Sequence, residues 1–268
     1  MPSADPRDIP VVILCGGMGT RLREETGLVP KPMVTVGGQP ILWHIMRYYS
    51  TFGFSRFILC LGYRSDVIKN FFLNYQYLEG SFSIAFNSVG GHAQPVLNDV
   101  PSTPPWTVSC IDTGEGAMTG ARVKRIERFV EGKRFMLTYG DGLCNVDLQA
   151  LLDFHEDHGK IATVTGVHPP SRFGSLSLSG NAVERFAEKS QTQSDFINGG
   201  YFVCEPEIFD FVYDSDACVF EQEPLSALAD KGELRAYLHN DYWQCMDTVR
   251  DRELLEEAWT HGAPWKRW

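Results

Sequence analysis

Short apolar runs alternate with stretches of helical periodicity from residue 10 to about residue 167. Few folds accommodate that alternation. Strands joined through helices cross over right-handed and lie parallel, so the helices cover both faces of the sheet. The apolar runs at 10–15 (PVVILC), 56–61 (RFILCL), 107–111, 134–138 (RFMLT) and 161–167 read as buried strands, and 82–86 as a further strand. The segments 40–52, 65–78, 119–130 and 147–158 carry helical spacing, with Thr119 expected as a helix cap. Beyond residue 170 the strands become shorter and alternating, at 175–178, 182–187 and 199–204, with helices at 221–231 and 249–259. The expected fold is α/β: a mostly parallel sheet with helices on both faces and a C-terminal α+β extension. It forms a single domain over 1–268, with a core at about 9–170 and the extension at about 171–268.

Composition narrows the function. Of 268 residues, 43% are hydrophobic and 22% charged, which supplies a sizeable core and excludes disorder. The formal charge of −10 repels nucleic acid and anionic membrane, so neither is an expected partner. An anionic ligand must be held by a few local Lys or Arg residues. The cysteines number 7, an odd count, and form no C-x-x-C pair, as for buried thiols rather than a disulfide framework or a zinc site. The polar start of the chain has no signal-peptide core and no apolar run suits a membrane span, so a cytoplasmic protein is expected.

Parallel sheets bind ligands at the carboxyl ends of their strands. The loop after the first strand holds Gly16, Gly17 and Gly19, then Thr20 and Arg21. Glycines there let backbone N–H groups approach an anion, and Arg21 adds a permanent charge. Two rival phosphate motifs fail: no Lys follows as Walker A requires, and Leu22 stands where the dinucleotide fingerprint needs its third glycine. Lys31, between Pro30 and Pro32, is expected in a stiff, extended stretch suited to a triphosphate.

These segments (GGMGTRL, PKPM and VGGQPIL) resemble the sugar-1-phosphate nucleotidylyltransferases. The later segments ILWHIM, DTG, MTGAR, TYGDG, FINGG, EQEPL and APWK resemble one branch, the glucose-1-phosphate cytidylyltransferases. The resemblance spans nearly the whole chain. It implies a Rossmann-like fold of the nucleotide-diphospho-sugar transferase type. It implies transfer of a cytidylyl group from CTP to α-D-glucose 1-phosphate, giving CDP-glucose and pyrophosphate, with Mg²⁺ as cofactor and a homo-oligomeric assembly. By the same resemblance Leu14, Cys15, Gly16, Gly17, Met18, Gly19, Thr20 and Arg21 wrap the nucleotide, with Lys31, Thr119, Arg122 and Gly140. Asp141 and Asp247 hold the metal. Lys189 grips the sugar phosphate, beside Gly174, Glu188, Asn198 and Gly199. Arg21, Lys31, Asp141 and Lys189 are the implied catalytic set.

The chemistry suits these residue types. Two polyanions must meet, which calls for Mg²⁺, Arg and Lys in a preorganised site. The nucleophile is already an anion, so no general base is needed. Plainer readings stand beside these: a turn for Asp141, a helix cap for Asp247, a surface lysine for Lys189, an exposed helix charge for Arg122. His155 and His158 share a helix but lack a third ligand. Phe71, Phe72, Tyr75 and Tyr77 read as core or subunit contact, and Trp265 and Trp268 as exposed contact surface. Alternatives are the same chemistry with UTP, dTTP or another sugar, and a non-catalytic nucleotide-sugar binding protein. Ser190 stands where the family often has Pro, and the loop at 89–105 matches no assigned role.

Overall fold

Every residue of Val11–Leu14 is buried, because this strand lies inside a sheet covered on both faces. The computed structural model describes residues 5–17, 19, 29–86, 94–99, 102–169, 175–179, 182–187 and 196–268. In it β1 (Val11–Leu14), β2 (Arg56–Leu61), β3 (Thr107–Asp112), β4 (Phe135–Tyr139), β5 (Ala162–Val167), β6 (Ile197–Cys204) and β7 (Leu234–His239) form one sheet. Their order is β7-β5-β6-β4-β1-β2-β3. Four of the six pairings are parallel; β6 runs antiparallel to β4 and to β5. The strands at 197–204 and 234–239 thus complete the same sheet that the first strands begin.

Side chains alternate across the sheet plane. Val11 and Ile13 enter one core with Phe57, Leu59 and Met136; Val12 and Leu14 enter the other with Ile58, Cys60 and Leu137. Helices α1 (Ile41–Ser50), α4 (Leu148–His158) and α6 (Val249–Thr260) cover the first core. Helices α3 (Thr119–Arg125) and α5 (Glu223–Asp230) cover the second. Helix α2 (Ser65–Leu73) inserts Ile68 into the first core. Asp147 caps α4 by accepting the N–H groups of Gln149 and Ala150. Thr248 and Asp251 close a capping box on α6, so Asp247 is not the cap.

Local expectations give way in five places. The helix expected at 65–78 breaks at Asn74, whose side-chain amide donates to the carbonyl of Asn70 at 2.8 Å and competes with helical continuation. The strand expected at 82–86 is only Phe82–Ser83, paired with Val96–Leu97 outside the main sheet. Residues 119–130 form two helices, α3 and Glu127–Val130, meeting at Ile126. Thr119 does not cap α3. The carbonyls of Asp216 and Cys218 take the N–H groups of Met118, Gly120 and Ala121, leaving the Thr119 hydroxyl for another partner. Lys31–Met33 is a single 3-10 turn rather than an extended stretch; Pro32 lacks an N–H that the first turn leaves unpaired anyway.

The C-terminus overturns the expectation of exposed tryptophans. Trp265 is 0% exposed. It stacks on Tyr242 at 5.6 Å and Trp259 at 6.4 Å and meets the edge of His44. The His44 Nε2 hydrogen-bonds the Val36 carbonyl, and burial holds the imidazole below the usual histidine range. Trp268 is half-buried against Trp43, with the Arg47 guanidinium 5.5 Å over its ring. Phe71 and Phe72 pack on the core as expected, and Tyr75 is buried against Phe71 and Trp106. His155 is a structural residue, bonded to Thr163 and Glu205.

The tail is therefore an internal plug of the first core. Trp265→Ala is expected to cost about 3–5 kcal/mol of unfolding free energy, as for large aromatic truncations in cores. Urea titration of the purified variant measures it; a loss well under 1 kcal/mol would remove the tail from the core.

Candidate active site

The parallel strands β1, β2, β3 and β4 end on one edge of the sheet, and Arg122 of α3 ties three of those ends together. Its Nη1 donates to the Leu61 carbonyl at 3.0 Å and to Thr113 Oγ1 at 2.8 Å. Its Nη2 donates to the carbonyls of Gly16 at 3.0 Å and Glu115 at 3.3 Å. The residue is 4% exposed, so it is no surface helix charge. A Cβ on Gly16 would fall 1.9 Å from Nη1, and one on Gly62 2.6 Å from it, so the guanidinium fits only against glycine. Burial pulls its pKa below the usual arginine value. No carboxylate pairs with it among the described residues, which leaves a buried positive charge facing the loop after β1. A buried charge without a counter-ion is costly until an anion arrives.

Lys31 is the second cation. Its Nζ donates to Asp141 Oδ2 at 2.5 Å and to Asp247 Oδ1 at 2.6 Å. Burial alone would lower its pKa, but the attraction of Asp141 and then Asp247 outweighs this and raises it. A two-stranded ribbon explains why residues 141 and 247 meet. Gly142–Cys144 pairs antiparallel with Trp243–Cys245, and the Met246 N–H donates to the Asp141 carbonyl at 2.8 Å. Asp251 then accepts the N–H groups of Asp247 and Thr248, turning the chain into α6.

Two cavities flank this cluster. The first, of about 240 Å³, is lined by Leu14, Cys15, Gly16, Gly17, Lys31, Pro32, Ala117, Met118, Thr119, Arg122, Tyr139, Gly140 and Asp141. The second, of about 190 Å³, is lined by Thr138, Tyr139, Asp141, Gly142, Asn198, Gly199, Gly200, Tyr201, Trp243, Cys245 and Asp247. Tyr139 and Asp141 line both. The structure thus gathers the expected nucleotide residues from β1, α3 and β4 into the first cavity, and Asn198, Gly199 and Asp247 into the second. Gly140 must be glycine, since a Cβ would lie 2.9 Å from the Leu14 carbonyl. Gly19 has φ +58, the left-handed backbone that a glycine loop permits. Met18, Thr20, Arg21, Gly174, Glu188, Lys189 and Ser190 lie outside the described residues, as do 89–93 and 100–101 of the 89–105 loop.

Sequence reasoning missed Tyr139, Thr113, Trp243 and Glu221 as site residues. Tyr139 and Glu221 sit inside the quoted segments TYGDG and EQEPL, but nothing in those letters shows that the two side chains meet. Trp243 Nε1 donates to the Gly199 carbonyl at 2.7 Å and fixes the wall of the second cavity.

Could Asp141 and Asp247 hold a metal? The two carboxylate oxygens converge on one ammonium, and both side chains are partly open, at 28% and 29%. Hard oxygens with room for water suit Mg²⁺, which keeps several waters and takes one or two carboxylates. Lys31 and the two aspartates sum to +1 − 2 = −1, so a dication there would be favoured. Among the described residues no group of three or more His, Cys, Asp and Glu forms a protein-only metal cage. The donor set therefore fits an ion that completes its shell with water and phosphate.

The chain resembles known proteins over nearly its whole length. Residues 10–257 match the family described as Nucleotidyl transferase. The glucose-1-phosphate cytidylyltransferase of Salmonella typhi is 48% identical over 261 residues, covering 96% of this chain and 98% of that protein. Of solved structures, HddC from Yersinia pseudotuberculosis superposes with a TM-score of 0.67 at 26% identity, covering 94% of this chain and 99% of its own. Inositol-1-phosphate CTP transferase from T. maritima, at 18% identity, shares the fold with a TM-score of 0.61 over 92% of this chain and 95% of its own.

Arg122→Lys keeps the charge but cannot reach Leu61, Thr113, Gly16 and Glu115 together. It is expected to lower stability by about 1–3 kcal/mol, the cost of one buried polar group left unpaired. Denaturant midpoints at constant m-value give the number; an unchanged midpoint would mean that a lysine amine serves the strand ends equally well.

Proposed function

The chain belongs to the nucleotidyl transferase family, and from that premise we infer that it transfers the cytidylyl group of CTP to α-D-glucose 1-phosphate, releasing CDP-glucose and pyrophosphate. The near full-length likeness to the Salmonella typhi cytidylyltransferase supports the choice of substrates. The observation that carries the chemistry is the meeting of two cavities at Asp141, with Lys31 between two aspartates. Such a junction suits two phosphorylated substrates that must touch.

In this reading residues 9–170 supply the nucleotide side and 171–268 the sugar side of one domain. Leu14 to Gly17, Lys31, Thr119, Arg122 and Gly140 receive CTP, and Met18, Gly19, Thr20 and Arg21 continue the same loop over the triphosphate. Gly174, Glu188, Asn198 and Gly199 receive the sugar, and Lys189 neutralises its phosphate. A phosphate oxygen of the sugar forms a new bond to the α-phosphorus. The bond from that phosphorus to its bridging oxygen breaks, and the electron pair leaves with pyrophosphate. No proton moves and no covalent enzyme intermediate forms. Arg122 adds fixed positive charge near the triphosphate, and Lys31 is oriented by its two carboxylates to meet the phosphates as they approach. Asp141 and Asp247 would hold Mg²⁺, which supplies charge neutralisation for the reacting phosphates.

The family uses a divalent metal generally; Mg²⁺ is our specific choice. We read the protein as cytoplasmic; no described helix is long and apolar enough to cross a membrane. We also read it as a homo-oligomer. The buried Trp265 no longer supports that. A different surface does: Leu73, Leu78, Phe86 and Val96 are 62–81% exposed, and Leu73 shares a cavity wall with Val108 and Cys110 of the edge strand β3.

Pyrophosphate release with glucose 1-phosphate and each of CTP, UTP, dTTP and GTP tests the substrates. CTP is expected to lead, because a mispaired base edge leaves buried polar groups unpaired at ~1–3 kcal/mol each. Equal turnover with UTP or dTTP would reject the nucleotide choice, and none with any triphosphate would leave a binding protein.

Asp141→Asn and Asp247→Asn each keep the shape and remove a charge. Each is expected to lower kcat by orders of magnitude with the fold intact. Because both would act through one ion, the double variant should be little worse than the worse single. Losses that multiply would assign the two residues separate tasks.

A further inference from the structure

A carboxylate that the reaction does not require lies behind the wall between the two cavities. Glu221 precedes α5 and pairs with no Lys or Arg among the described residues. Its Oε2 accepts the Thr119 hydroxyl at 2.6 Å, and its Oε1 accepts the Tyr139 phenol at 2.5 Å. Thr119 in turn accepts the Phe220 N–H at 2.9 Å. Tyr139 accepts the Asn198 side-chain amide at 2.9 Å, and Asn198 Oδ1 accepts the Gly200 N–H at 2.8 Å. Each hydroxyl therefore donates once and accepts once, and each carboxylate oxygen accepts once. The two hydroxyls and the carboxylate are thus matched donor to acceptor. Charge-assisted bonds of this kind are shorter and stronger than neutral ones.

The chain of bonds has a direction in space. Thr119 lines the nucleotide-side cavity, Asn198 lines the sugar-side cavity, and Tyr139 lines both. The ring of Tyr139 is also held from behind. Gly200 has φ +79, and a Cβ there would fall 2.5 Å from Tyr139 Cδ2, so the ring presses on bare backbone. Phe202 meets its other side edge-on at 6.1 Å.

We infer that Glu221 is a positioning residue: it holds Thr119 and Tyr139 in register and so couples occupancy of the sugar side to occupancy of the nucleotide side. A ligand that engages Asn198 shifts its amide, the amide bears on the phenol, and the phenol and Thr119 share one carboxylate. Glu221 lines neither cavity. The inference rests on the reading of the two cavities as nucleotide and sugar sites, but not on which nucleotide is used.

The test is a linkage measurement without turnover. An α,β-methylene analogue of CTP, which cannot release pyrophosphate, is titrated calorimetrically with and without saturating glucose 1-phosphate and Mg²⁺. If another triphosphate wins the nucleotide panel, its methylene analogue is used. The wild type is expected to bind the analogue more tightly with the sugar present, by a factor in the usual allosteric range of about 5–150. Glu221→Gln keeps the shape and weakens both bonds, and should bring that factor towards one while the analogue still binds alone. Tyr139→Phe removes only the phenol and should do the same; the double variant should add nothing further. Thermal melts accompany each variant, because a purely structural role would lower the melting temperature and leave the factor unchanged. An unchanged factor in folded Glu221→Gln overturns the inference, as does a wild-type factor of one. Either result leaves the proposed reaction standing, whereas failure to bind any analogue would instead strike the assignment of the sites.

Discussion

The Arg122 guanidinium holds the site together because it satisfies carbonyls from three different strand ends at once. A neutral side chain could not gather the ends of β1, β2 and β3, and a lysine offers no planar fork. The arrangement dictates sequence elsewhere. Gly16 and Gly62 have no side chain because the guanidinium occupies that space. α3 must start where it does to deliver residue 122, and its first N–H groups bond the carbonyls of Asp216 and Cys218 rather than a cap of its own. The buried charge also makes the first cavity attractive to an anion. One interaction thus sets the loop's shape and its electrostatics.

The cluster around Lys31 works on a different principle. There one ammonium is outnumbered by two carboxylates that are partly open to water, so the arrangement can reorganise when phosphates arrive. Arg122 is a fixed element and Lys31 an adjustable one. Placing the two kinds of cation on the same cavity lets the protein be preorganised on one side and responsive on the other.

Much of this was legible in the letters. β1 is apolar at every position, and β2 and β4 depart from that only at Arg56 and near their ends at Thr138 and Tyr139, because both faces of the sheet are covered; such runs need no context to be read. The glycine loop and Lys31 were legible because few residue types serve an anion. Other features depended on distant chain. Thr119 precedes a helix and looks like a cap, but residues 216–220 supply the partners. Trp265 near a terminus looks exposed, but His44, Tyr242 and Trp259 enclose it. Asn74 breaks a helix whose apolar spacing continues past it, since periodicity records burial and not the local competition for a carbonyl. The pairing of Asp141 with Asp247 depends on a ribbon between 142–144 and 243–245, which no local pattern announces. Arg21 and Lys189 were named on motif alone, and they lie outside the described residues.

The reversed strand β6 has a consequence for the birth of the protein. β1, β2, β3 and β4 are all made by residue 139, yet β4 lacks its second neighbour until residues 197–204 emerge. The interval is 197 − 139 = 58 residues, or roughly 3–12 s at ordinary synthesis rates of about 5–20 residues per second. Throughout it the nascent chain carries a half-finished sheet whose open border is Phe135, Met136 and Leu137. Antiparallel insertion from the far side then closes that border in one step. For those seconds of synthesis one side of β4 has no strand to pair with.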